Sequence, residues 1–134
     1  MVILIKLPVI QVYEIIKANK PSWIWIDGLY PENIPKVVDK SGSKTLVLIT
    51  SVSEPLSGYK NDTFSEISAS IQVQIFFSKT VAINVLDAQL ELMSLLADNG
   101  WIIATRYPNV VDPDTEQVTA TFSVFKNIKI KRGN

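Results

Sequence analysis

At 134 residues, 47% hydrophobic and 19% charged, the chain has the size and balance of one domain that can hold its own core. It contains no cysteine and no histidine, which excludes disulfides, thiolate nucleophiles, Ser-His-Asp triads and zinc centres built on those ligands. Thirteen Lys and Arg balance thirteen Asp and Glu, so no net charge draws the chain onto nucleic acid, and near-zero charge favours association.

The opening MVILI is too short for a signal core or a membrane span, so the expected setting is the cytoplasm or a particle assembled there. Pro8 suits the first turn of a helix. Val9, Val12, Tyr13 and Ile16 then recur at helical spacing opposite Gln11, Glu14 and Lys17. This predicts a helix over 8–18, stopped by ANKP because the residue before Pro21 is pushed out of the helical region. SWIWI (22–26) reads as a short extended piece and DGLYPENIP (27–35) as a loop.

TLVLITSV (45–52) is apolar on both faces, as suits an interior strand. SEPLSGYKNDTF (53–64) is rich in turn residues. In 65–78, Ile67, Ala69, Ile71, Val73, Ile75 and Phe77 alternate with Glu66, Ser68, Ser70, Gln72 and Gln74, the pattern of a strand with one buried side. Asn84, three residues before Asp87, reads as the cap of a second helix. Its expected stripe is Leu86, Leu90, Met93 and Ala97, widened by Leu92 and Leu96, with Asn99-Gly100 as the stop. WIIATRYP (101–108) is the next strand, NVVDPDT turns, and 116–131 closes with Val118, Ala120, Phe122 and Val124 on one face. The expected fold is α+β in the order α-β-β-β-α-β-β. One mainly antiparallel, mixed sheet carries two helices on one face, in a single domain over 1–134.

As regular strands, 65–78 and 116–131 would run about 45 and 50 Å. A domain of this size is only about 36 Å across. The strands therefore either bend sharply or project, and projecting ends offer unpaired backbone groups to another chain.

Chemical motifs are sparse. The glycines are scattered, and SGSK (41–44) lacks phosphate-loop spacing. Asp27 with Glu32, and Asp112 with Asp114 and Glu116, are the acidic candidates for catalysis or a cation. DPDT and Asp27-Gly28 are turn chemistry first, however, and no metal or cofactor site is expected. Lys126, Lys129, Lys131 and Arg132 could touch a nucleic-acid backbone, but without stacking aromatics they read as guards of an edge strand. Trp23 and Trp25 are expected on one side of an extended piece, with Ile24 and Ile26 opposite. With Tyr30, Pro31 and Pro35 they form either a cap on the core or a rigid docking surface.

LPVIQVYEIIK (7–17), WIDGLYPENIP (25–35), LVLITSVSEPLSGYKND (46–62), ASIQVQIFF (69–77) and the helix ending ADNGW follow one another in an order and spacing that resemble a known family. It is that of the tail terminator, or tail completion, proteins of phages with long non-contractile tails, in particular a group from tail-gene modules of phages of Gram-positive hosts. The resemblance spans nearly the whole chain and rests on hydrophobic patterns and turn residues. It implies a structural virion protein assembled in the host cytoplasm, without catalysis or cofactor. Such proteins form a ring, commonly a hexamer, that caps the tail tube, stops its growth and joins the tail to head-completion proteins. DNA passes through the lumen without specific binding, and the KIKR stretch is expected outside that lumen. The interface residues expected here are Trp23, Trp25, Tyr30, Pro55, Leu56 and Tyr59. The alternatives are a head–tail connector or minor tail protein, a stand-alone domain binding a small ligand at Trp23, Trp25 and Tyr30, and a carboxylate enzyme using Asp27, Glu32 or Asp112.

Overall fold

A computed structural model describes residues 6–19, 23, 25–38, 41–57, 65–80 and 83–129. The elements are α1 (Pro8–Asn19), β1 (Gly28–Pro31), β2 (Leu46–Ser53), β3 (Leu56–Ser57), β4 (Glu66–Phe77), α2 (Val85–Asp98), β5 (Ile102–Arg106), β6 (Val110–Val111) and β7 (Val118–Lys129). The main sheet runs β1-β2-β4-β7-β5, with β3 paired to β4 and β6 to β7. Only β1 and β2 run parallel, so the fold is α+β on a mainly antiparallel, mixed sheet, as expected.

The alternation in β4 and β7 builds the floor of the core. Ala69, Ile71, Val73, Ile75 and Phe77 from β4 pack with Ala120, Phe122 and Val124 from β7, and all are buried. Val9, Val12 and Ile16 of α1 and Ala88, Leu92 and Leu96 of α2 cover that face. Both helices thus lie on one side of the sheet, and on the helix-free side Leu46, in register with Phe76, is buried close to Ile34 and Gln117. Burying one face at period two in the strands and one stripe at period 3.6 in the helices produces this two-layer arrangement.

Helix α2 begins and ends where its signals stand. The Asn84 side chain accepts from the Asp87 N–H at 3.1 Å. At the other end the Gly100 N–H donates to Ala97 O at 3.1 Å and the Trp101 N–H to Leu96 O at 3.0 Å, with Gly100 at φ 90°. These paired bonds close the helix in a Schellman motif. The buried stripe departs from expectation. Ala88, Gln89, Leu92 and Leu96 face the core, whereas Leu86 and Leu90 stay 45% and 44% exposed and Ala97 faces solvent. Apolar residues occupy two sides of this helix, and only packing against the sheet chooses between them.

The first strand also lies elsewhere. Around SWIWI the Ile26 N–H donates to Trp23 O at 3.1 Å and closes a turn. Pairing begins later: the N–H groups of Asp27 and Gly28 both donate to Thr45 O, and the Asp27 carboxylate accepts from the Thr45 N–H at 2.8 Å. GLYP, expected within a loop, therefore becomes β1 because a parallel partner distant in sequence satisfies its backbone. Two-residue β3 and β6 likewise form inside segments expected as turns.

Strands β4 and β7 pair through twelve residues each, from Glu66↔Lys129 to Phe77↔Val118, without a register shift. Toward Glu66 and Lys129 the sheet narrows. β2 ends opposite Ser70, β5 begins opposite Phe125, and only β3 continues beside β4. The outcome of the length estimate is an unbroken ladder of about 40 Å, finished by three strands.

Candidate functional site

The aromatic residues expected as one patch are divided by the sheet. Trp25 stacks on the buried Phe77, centroids 5.8 Å apart, and Trp23 lies against Trp25 at 6.2 Å. Both are half-buried and pack on the core from the helix side. Tyr30 pairs in register with Leu48, which pairs with Gln74, and so stands on the helix-free side of the sheet. Its ring folds back across Gly28: a Cβ there would lie 2.7 Å from Tyr30 Cε2 and 2.8 Å from its hydroxyl. Trp25 caps the core, while Trp23 and Tyr30 point into different surroundings.

Pro55 and Leu56 are exposed on the narrowed end, where Pro55 O accepts from the Ser68 N–H at 2.9 Å and Leu56 pairs with Ile67. Tyr59 lies outside the described residues. Val52, 59% exposed, adds to the same end.

A further exposed apolar feature runs along β5 and β6. β5 and β6 lie along the outer side of β7, joined by the Tyr107 N–H bond to Thr121 O. Nothing among the described residues pairs with their other side. Ile102, Tyr107, Val110 and Val111 are 44–62% exposed along it. A run of unpaired N–H and C=O groups flanked by apolar side chains is a template for another chain. The available signal was weak alternation in WIIATRYPNVV, which resembles a half-buried strand.

The helix-free side of β4 and β7 carries Ser68, Ser70, Gln72 and Gln74 opposite Asn127, Phe125, Ser123 and Thr121, with no charged group among them. Ser68 Oγ and Asn127 Oδ1 are 2.8 Å apart. Charge returns only at Glu66↔Lys129. Lys126 is on the opposite side, its ammonium 5.8 Å above the Trp101 ring.

On the helix side, Trp23 and the outer surface of α2 enclose an open groove of about 530 Å³, lined also by Leu90, Leu95, Asp87, Glu91 and Asp98. Beneath the helix, Gln89 is fully buried. Its Oε1 accepts from Arg106 Nε at 3.0 Å, while its Nε2 has no partner among the described residues.

The acidic candidates are dispersed into structural roles. Asp27 fixes Thr45, as above. Glu32, at φ 71°, ends β1 and lies 3.5 Å from the Ser51 hydroxyl. The Asp112 carboxylate accepts from the N–H groups of Asp114 and Thr115, and its N–H donates to Gln117 O, forming the hairpin turn between β6 and β7. Among the described residues no three His, Cys, Asp or Glu side chains are grouped to hold a metal, and no helix is long and apolar enough to cross a membrane.

Among solved structures the chain is similar to a sheath/tube terminator of an extracellular contractile injection system (PVC) in its extended state. The TM-score is 0.45 and the identity 13%, over 98% of this chain and 60% of that one. The chain thus spans about three-fifths of that protein, and a likeness of this size carries no argument about function. No curated protein matches the sequence. Residues 6–129 match the profile of the family described as "Protein of unknown function (DUF806)", and the chain belongs to that family.

Proposed function

We propose that the protein is a tail terminator of the kind its sequence resembles: a structural virion component that forms a ring of six subunits on the end of a phage tail tube. The ring stops tube growth and presents its far face to the head-completion protein, and DNA passes through without specific binding. The protein is assembled in the host cytoplasm and works by association rather than catalysis.

The observation that carries this reading is the bare β5–β6 edge with Ile102, Tyr107, Val110 and Val111 exposed along it. A neighbour that meets this edge with a surface other than its own β5–β6 edge makes a heterologous contact. Repeated around an axis it closes into a ring when the rotation permits. A stable contact of this type buries about 800 Å² per subunit. The uncharged helix-free side of β4 and β7, from Ser68 to Gln74 and from Thr121 to Asn127, supports the reading too, since a wall without ammonium or guanidinium groups gives phosphates nothing to hold.

The test is the mass of the purified protein by light scattering, followed by electron microscopy of its mixture with tail tubes from the same gene module. A discrete ring, or density at one tube end only, is the expected result. A monomer that ignores tube ends would remove the terminator reading.

A further inference from the structure

We infer that the groove between Trp23 and the outer surface of α2 receives the basic residues Lys129, Lys131 and Arg132, at and beyond the end of β7, from a second copy of this chain. The inference rests on the assembly reading above and supplies a contact for it.

The floor of the groove is apolar, formed by Trp23, Leu90 and Leu95, and its rim is acidic, formed by Asp87, Glu91 and Asp98. Leu90 is 44% exposed and Leu86 beside it 45%, although neither lies on the buried stripe of α2. The helix carries these three carboxylates and no basic residue. Residues 126–132, KNIKIKR, carry Lys126, Lys129, Lys131 and Arg132 and no acid. In a chain with no net charge, these two stretches are opposite in sign, and each interleaves charge with Leu or Ile.

Spacing agrees as well. Lys129 and Lys131 are two residues apart, about 6.6 Å in an extended strand. Asp87 and Glu91 are one helical turn apart, about 6 Å along α2. The spacing of these two ammonium groups in an extended chain thus matches that of the two carboxylates on the helix.

The direction of β7 points to a neighbour. Val118 lines a cleft with Val85 at the start of α2, and Lys126 reaches Gly100 and Trp101 just past its end. β7 therefore runs alongside α2, and its last residues lead beyond the helix rather than back along the groove. Donor segment and receptor groove are different surfaces, so the contact is head-to-tail, as a ring requires.

The peptide KNIKIKRGN, titrated into the full chain by calorimetry, tests the contact. One peptide is expected to bind per chain, weakening as salt is raised toward 0.5 M or so. The Glu91→Lys variant should lose about tenfold in affinity. A peptide with Lys129→Glu and Lys131→Glu should bind the wild type poorly and regain affinity for the Asp87→Lys/Glu91→Lys variant, a rescue that fold damage does not produce. No binding, or binding indifferent to Glu91→Lys, overturns the inference. Tube-end capping is scored separately: capping without peptide binding removes only this contact, and peptide binding without capping removes only the terminator reading.

Discussion

Gly100 illustrates how one residue without a side chain sets the end of an element. Its φ of 90° is a left-handed conformation that a Cβ penalises by about 1–2 kcal/mol. A Cβ at this position would meet Lys126 Nζ at 3.4 Å, ordinary contact, so the backbone and not crowding decides the cost. Gly100→Ala is expected to lower stability by about 1 kcal/mol in urea denaturation without changing the slope. Gly28 is governed by the opposite circumstance. Its backbone is unstrained, but the Tyr30 ring occupies the space beside it, so Gly28→Ala must displace Tyr30 and with it the end of the β1 edge. The Asn84 cap and the Asp112 turn were legible from sequence because each depends on bonds spanning three to five residues.

At the scale of elements, α2 separates burial from apolarity. Leu92 and Leu96 have no exposed surface, whereas Leu86 and Leu90 keep nearly half of theirs. Truncation to alanine is expected to cost about 2–5 kcal/mol at Leu92 or Leu96. At Leu86 or Leu90 it should cost about 0.5 kcal/mol or less, as at surface positions generally. Equal losses at all four, measured by thermal or urea unfolding, would contradict the orientation of the helix. β4 and β7 were readable as strands because alternate burial leaves a period of two in their sequences. β1 was not readable: GLYP has four residues and no alternation, and its stability as a strand comes from Leu46–Ile49 alongside it.

For the whole molecule, the significant feature is a sheet covered by helices on one face and, among the described residues, unpaired along an apolar β5–β6 edge. Val110→Asp together with Ile102→Asp places charge where side chains are already exposed, so unfolding of the isolated chain is expected to change by less than about 1 kcal/mol. Desolvating those carboxylates against a neighbour is costly. The double variant should therefore remain monomeric by light scattering and fail to cap tube ends. A variant that still forms rings would move the subunit contact away from this edge.

Of the residues expected at an interface, Trp25 proved to rest on Phe77, Trp23 to line a groove, and Tyr30 to stand on the other side of the sheet. Their closeness in sequence concealed this because the chain turns at Trp23–Ile26 before β1 begins, and Tyr30 then takes the face of β1 opposite Leu29, which packs on the core. The sequence by itself determined the class of fold, the two helices with their caps, and the two long strands, since all of these follow from periodicity and bonds between near neighbours. Only the tertiary structure decided which side of α2 is buried, that GLYP is a strand, and which edge is left bare. Each of those depends on a partner far along the chain, and a local pattern holds no information about the surface it will meet.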